Sequence, residues 1–166
     1  IFFSNIAIPF AGIVDTALMG HLNNVKFLAA ISIATSVITM IFWSFGFLRM
    51  GTVGLVAQAF GKKDYNQVIL SFVRNLILAI SIGLIIIFFK EPIIFSIEHF
   101  FRTSEETHGL INRYISIRIL SAPAELMIYV LVGLYLGLQK TIISSLMISI
   151  FSVGNIILST VFVIYF

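Results

Sequence analysis

Cysteine is absent from this 166-residue sequence, and Lys, Arg, Asp and Glu together make up only 10% of it. Without cysteine the chain forms no disulfide, holds no thiolate-bound metal and has no cysteine nucleophile. Ten Lys and Arg residues against seven Asp and Glu give a formal net charge of +3. That positive charge is too small and too scattered to indicate a nucleic-acid-binding surface, so no nucleic-acid partner is expected.

Motifs for enzymatic chemistry are also lacking. No spacing of His, Asp or Glu resembles a metal site. The sequence contains no glycine-rich phosphate loop and no nucleophile with a partnered base. We therefore predict a protein that is not an enzyme and that uses no cofactor or metal.

Apolar residues are correspondingly abundant in the sequence. Hydrophobic residues make up 60% of the chain and the mean hydropathy is +1.12, whereas soluble domains carry about a quarter charged residues. The apolar runs are longer and more continuous than the alternating strands of a membrane barrel. We predict an all-α integral membrane protein with about five spanning helices, at approximately residues 1–22, 27–61, 68–89, 114–138 and 141–166.

The connections between these predicted spans are polar. The densest basic pair, Lys62 and Lys63, lies in the short loop after the second span, and we place that loop in the cytoplasm. The segment 90–113 is polar overall but contains a stretch typical of a short amphipathic helix at the membrane interface. The chain is apolar from its first residue and ends within an apolar run, so we expect it to be part of a longer protein.

Asp15 lies inside the first predicted span, IFFSNIAIPFAGIVDTALMGHL. A carboxylate is expensive in lipid and is expected to face protein or water. Gly12, Thr16 and Gly20 form a ridge of small residues beside it, which favours a bundle interior. Desolvation there favours the protonated acid, so proton uptake near neutral pH is one interpretation. A hydrogen bond to a neighbouring helix, without a transport role, is the other.

Polar residues also occur in the last two predicted spans. Arg118 and Glu125 are seven residues apart, on roughly one helical face, with Pro123 between them. Glu125 either pairs with Arg118 or takes part in ion coupling. In the fifth span the polar residues recur every three or four positions, which indicates a stripe that lines a cavity or joins helices; they are Ser152, Asn155 and Ser159.

The second predicted span combines aromatic residues with glycines. Phe45 and Trp43 belong to an aromatic run that is suited to binding flat lipophilic cations or, alternatively, to packing against lipid. Gly46, Gly51 and Gly54 are expected to allow close helix packing. We expect Arg49 to anchor the span at the membrane interface rather than to bind substrate.

Three stretches of the sequence resemble the multidrug and toxic compound extrusion (MATE) transporters, particularly their DinF-like branch. They are VDTALMGHL at 14–22, FWSFGFLRMGTVGLVAQAFGKKD at 42–64 and IRILSAPAEL at 117–126. The resemblance implies a transporter of twelve helices in two six-helix lobes, of which this chain is most of the first lobe and the second lobe is absent. It also implies antiport of cationic or lipophilic compounds against protons or sodium, in the inner (plasma) membrane.

The same resemblance implies roles for particular residues. Asp15 matches the acid of the family's first helix, and Asn155 matches an asparagine of its fifth helix. Many relatives carry an aspartate where this chain has Ser159, so Asp15 lacks that acidic companion here. Glu125 is not part of the family pattern.

Two other functions stay open from the sequence alone. A lipid-linked oligosaccharide flippase of the same superfamily is one alternative, although such proteins tend to have cationic cavities rather than an acid in the first helix. A non-transporting membrane fragment is the other, and its intramembrane polar residues would only join helices.

Overall fold

A computed structural model describes the backbone of residues 25–101 and 105–165. Side-chain surroundings are described for residues 32–97, 109, 111–151, 153 and 154. The described residues form seven α-helices and no strand, and the prediction of an all-α architecture is confirmed. The helices are α1 (Val25–Ser44), α2 (Phe47–Gly61), α3 (Tyr65–Phe88), α4 (Lys90–Phe101), α5 (Glu105–Ile119), α6 (Ala122–Gly137) and α7 (Thr141–Tyr165).

Two helices in the described part of the chain are long and apolar enough to cross a membrane. They are Ser32–Gly61, which joins α1 and α2 into one span, and α3. A third span arises if α5 and α6 are counted together, although they meet at a bend of 48°. The first predicted span, 1–22, lies outside the described residues.

The observed helices differ from the predicted spans in two ways. The span predicted at 27–61 is interrupted at Phe45 and Gly46, and the span predicted at 114–138 is interrupted at Leu120 and Ser121. The helix that contains the latter span also begins earlier, at Glu105. Its first turns are polar, so the sequence placed them in the connection 90–113. The segment 90–113 does contain the expected amphipathic helix, α4, which buries Ile94 and Ile97.

Both tight turns of the bundle end a helix in the same way. After α2, Lys63 adopts a positive φ of 59°, and the amide of Asp64 donates to the carbonyl of Ala59 at 3.0 Å. After α6, Gln139 adopts a φ of 61°, and the amide of Lys140 donates to the carbonyl of residue 135 at 2.8 Å. This left-handed cap reverses the chain within three residues, so α3 and α7 start at once. Asp64 then caps α3 by accepting from the amide of residue 67 at 3.0 Å.

Helix α6 lies at the centre of the bundle, against α2 and α3. A Cβ added to Gly133 would lie 2.8 Å from the carbonyl oxygen of Arg49, and one added to Gly137 would lie 2.7 Å from Cβ of Val56. The spacing of these two glycines is the small-xxx-small pattern that lets membrane helices approach closely. Since both contacts advance along the two chains together, α2 and α6 are parallel and their terminal turns lie on one side.

Two glycines of α2 have no close neighbour among the described residues. A Cβ added to Gly51 or Gly54 would meet no described atom within 4 Å. The close approach between α2 and α6 depends instead on the glycines of α6, which contact Thr52 and Val56 of α2. Close helix packing at Gly51 and Gly54 stays a prediction, because residues 1–24 lie outside the described structure.

The packed interior continues from α6 to α1 and α5. Every fourth residue of α5 is fully buried there, namely Ile111, Ile115 and Ile119. They pack with Ala34, Ile38 and Phe42 of α1 in one hydrophobic cluster.

The outer faces of the bundle are apolar as well. Met40, Phe88 and Ile142 are each more than 70% exposed, as expected for helices that lipid surrounds.

Candidate functional site

The chain changes direction at Leu120 and Ser121, between α5 and α6. Pro123 accounts for the interruption, because it has no N–H to donate and its ring collides with the carbonyl four residues earlier. Helix α5 closes with two short turns, in which the amides of Leu120 and Ser121 donate to the carbonyls of Ile117 and Arg118 at 3.2 Å. Polar side chains meet at this bend.

Arg118 makes three contacts there, each to a different part of the bundle. Its Nη2 donates to Oε1 of Glu125 at 2.9 Å, and its Nη1 donates to Oγ of Ser121 at 2.8 Å. The Ser121 hydroxyl donates back to the carbonyl of Arg118 at 2.7 Å. The guanidinium carbon lies 5.8 Å from the ring centroid of Phe42 on α1, within the range of a cation–π contact. One side chain therefore links α1, α5 and α6.

The ion pair between Arg118 and Glu125 is about one-third exposed on both sides, at 35% and 30% of each side chain. Either charge alone is costly within an apolar span, so each offsets the cost of the other. In a straight α-helix two residues seven apart are about 10.5 Å apart along the axis. The bend and the length of the arginine side chain together close that gap.

Tyr129 extends the polar group by one turn of α6. It lies within electrostatic range of Glu125 and also of Arg49 on α2. The sequence pattern did not indicate Tyr129 or Ser121, and it placed Phe42 only within the aromatic run of the second predicted span. For Tyr129 a signal was present, since four residues separate it from Glu125 and place both on one helical face.

The aromatic run of the first interrupted span divides between two environments. Phe42 is buried, with 6% of its surface exposed, and faces Arg118, whereas Trp43 is 81% exposed. Phe45 is half-buried and contacts Phe47, with ring centroids 6.1 Å apart at 50°. Trp43 thus presents its ring to the surroundings of the bundle, and Phe42 presents its ring to the bend.

Among the residues that the structure describes, no group of three or more His, Asp or Glu side chains could hold a metal ion. The bend itself holds an ion pair beside an aromatic ring. These contacts hold the Arg118 side chain against Glu125, Ser121 and Phe42.

Comparison with known proteins identifies the family. The MatE family model matches residues 1–161. The chain is also 36% identical over 156 residues to DNA damage-inducible protein F of Escherichia coli (strain K12), an alignment that covers 94% of this chain. The chain belongs to the MATE family. No solved structure matches it.

This MATE chain spans about a third of the length of that relative, since the alignment covers 34% of the bacterial protein. The resemblance that the sequence motifs indicated is thereby confirmed at the level of the family.

The residues that the MATE resemblance implicates most directly lie at the margins of the described structure. Asp15 falls outside the described residues. Ser152, Asn155 and Ser159 lie on the backbone of α7, but their side-chain surroundings are also outside the description. Their three- and four-residue spacing on a continuous helix places them on one face. Their roles stay predictions.

Proposed function

We propose that the complete protein exports cationic or lipophilic compounds across the inner (plasma) membrane, in exchange for protons or sodium ions. The observation that carries this proposal is the MatE match, which extends over residues 1–161 and so over nearly the whole chain. The apolar outer faces of the helices support a multi-pass membrane location.

Charge supports one orientation of this transporter. The parallel arrangement of α2 and α6 puts Lys62 and Lys63 on the same side as Lys140, because each group follows the end of one of these helices. Short loops rich in lysine favour the cytoplasm. We therefore place both tight turns on the cytoplasmic side, and the start of the first predicted span with them.

Asp15 is the residue to which we assign ion coupling. Glu125 is already bound to Arg118 at 2.9 Å, so its charge is balanced within the bundle. Asp15 has no acidic companion at position 159, where the chain carries serine. If the coupling ion is a proton, its binding to Asp15 would remove the charge of Asp15 and with it the affinity for a cationic substrate. If the coupling ion is sodium, Asp15 and Asn155 would supply oxygen ligands to it.

Coupling follows if the two conformations of the transporter differ in their affinity for the ion. A ligand shifts an equilibrium only by as much as it distinguishes the two states. When substrate and ion compete for Asp15, uptake of one ion releases one substrate cation to the outside. The charge on Asp15 is therefore the property to change.

The test is efflux of ethidium, a flat lipophilic cation, by the complete gene product in membrane vesicles. Asp15→Asn removes the charge and keeps the shape, and we expect it to lower pH-driven efflux at least tenfold. Asp64→Asn is the matched control, since asparagine also caps helices well and should preserve the cap of α3. Imposed proton and sodium gradients are compared in the same vesicles.

Three outcomes are informative. Loss of efflux in Asp15→Asn alone supports the assignment, and the gradient that drives wild-type efflux names the coupling ion. Unchanged efflux in Asp15→Asn would remove Asp15 from the mechanism. Absence of ethidium efflux in the unmodified protein, with transfer of lipid-linked oligosaccharide in its place, would favour a flippase.

A further inference from the structure

Both interruptions of the bundle lie at the same level. One separates α1 from α2 at Phe45 and Gly46, and the other separates α5 from α6. Phe42 lies just before the first interruption and contacts Arg118, which lies just before the second. The two interruptions therefore lie at the same position along the axis of the bundle.

The helices on either side of this level have different neighbours. Before the interruptions, α1 packs mainly against α5. After the interruptions, α2 packs against α6 and α3. The two halves are joined through the two interruptions and through one hydrophobic cluster, in which residues of α1 and α5 pack together with Leu48 of α2, Leu126 of α6 and Ile86 of α3. This division is the arrangement expected of two rigid groups that meet at a hinge.

Backbone hydrogen bonds cross both interruptions, but the first has more of them. After the short turns that close α1 and α5, the amides of Leu48, Arg49 and Met50 donate to the carbonyls of Phe45 and Gly46 at 3.0 to 3.3 Å, so the first span continues. At the second, the amide of Glu125 donates to the carbonyl of Ser121 at 3.0 Å. Pro123 cannot donate there, and the chain bends by 48°. With fewer backbone bonds across this break, side-chain contacts contribute more to its angle.

Arg118 supplies the side-chain contacts that fix this angle. Its own helix is α5, it reaches Glu125 in the first turn of α6, and it touches Phe42 of α1. The bond to Ser121 holds the guanidinium from within the bend itself. Because a guanidinium is planar and has several N–H donors in a fixed arrangement, it can satisfy these partners at once, which a lysine ammonium does not reproduce.

We propose that the two interruptions form one hinge across the bundle and that Arg118 is the positioning residue that locks it. While Arg118 holds Glu125 and Ser121, α1 and α5 keep a single angle to α2 and α6. Release of Arg118 frees that angle. The proposal concerns the motion of the helices and does not depend on which compound the protein carries.

Spin-label distances measure this angle directly. The 166 residues contain no cysteine, and any cysteine elsewhere in the complete gene product is first replaced by serine so that the labels are specific. The cross-hinge pair is Asn112→Cys on α5 with Gln58→Cys on α2, both at exposed positions. The reference pair is Gln67→Cys with Leu84→Cys on α3, a continuous helix on which 17 residues span about 26 Å. Both pairs are measured in the complete gene product, reconstituted in lipid.

We expect Arg118→Ala to broaden the cross-hinge distance distribution at least twofold and to leave the α3 pair unchanged. Glu125→Gln should broaden it less, because the contacts to Ser121 and Phe42 stay in place. Exchange of the two charges, with Arg118→Glu and Glu125→Arg together, should narrow it again. Lys140→Ala, which removes one positive charge far from the bend, is the control and should change neither pair.

Two results would overturn the proposal. One is an unchanged cross-hinge distribution in Arg118→Ala. The other is an equal broadening of both pairs in Arg118→Ala and Glu125→Gln, which would mean that Arg118 maintains the whole fold rather than one angle. A transport assay does not enter this test, so its result is distinguishable from failure of the efflux proposal.

Discussion

The two interrupted spans, α1–α2 and α5–α6, have the same order of segments but differ in how sharply they bend. Each has a first part of 15 or 20 residues, a two-residue break and a second part that ends in a left-handed cap. The first span stays continuous over Ser32–Gly61, whereas the second bends by 48°. The difference lies in what the backbone can still bond across each break.

Glycine also has different uses in the two spans. In α2, a Cβ added to Gly51 or Gly54 would meet no described atom within 4 Å. In α6, Gly133 and Gly137 bring the backbone against α2. Helix α6 is therefore packed closely against α2, and the bend lies directly before this packed helix.

The largest loss of stability is expected where α3 contacts Pro123, beside the bend. A Cβ added to Gly83 would lie 2.5 Å from Cα of Pro123 and 2.7 Å from its backbone nitrogen. Backbone atoms cannot move aside as a flexible side chain can, so Gly83→Ala should destabilise the protein by about 2–3 kcal/mol. The measurement is the thermal unfolding midpoint in detergent. A midpoint equal to that of the unmodified protein would show that α3 is not pressed against the bend.

A smaller effect is expected where α6 meets α2. Gly133→Ala adds a methyl group 2.8 Å from the carbonyl oxygen of Arg49 and from Cβ of Thr52. Crowding costs about 1–3 kcal/mol, and the better helix propensity of alanine returns about 1 kcal/mol, so the net loss should be about 1 kcal/mol. The same thermal unfolding measurement applies.

Gly54→Ala is the matched control on the partner helix. Its added Cβ meets no described atom within 4 Å, so only the gain in helix propensity applies. The variant should be stabilised by up to about 1 kcal/mol. Destabilisation at Gly54 would mean that another helix covers this face of α2 in the complete protein, and the two spans would then use glycine alike.

Composition and apolar run length were sufficient to predict the helical membrane fold, because the bilayer leaves few ways to satisfy the backbone. They did not predict the start of α5, since Glu105–Arg113 is polar yet helical. The ion pair could be proposed from the seven-residue spacing of Arg118 and Glu125. Its closure depends on the bend, and a proline in a span indicates an interruption without giving its angle.

The contact with Phe42 was out of reach for a different reason. It joins residues 42 and 118, which belong to separate spans, and neither periodicity nor spacing relates positions that far apart. The sequence placed Phe42 in an aromatic run with Trp43 and Phe45 but did not separate the ring that faces inward from the ring that faces outward. Knowledge of which helix lies beside α1 was needed for that.

The smallest effect is expected at the first interruption, and it is the most direct check on the contrast between the two spans. Gly46 has φ −56° and ψ −20°, a helical conformation that alanine adopts readily. An added Cβ would lie 3.1 Å from the carbonyl oxygen of Trp43, a close contact that offsets part of the gain in helix propensity. Gly46→Ala should therefore change stability by no more than about 0.5 kcal/mol. A larger loss in thermal unfolding would show that the first break needs the conformational freedom of glycine, and the contrast with the proline-containing second break would then be weaker.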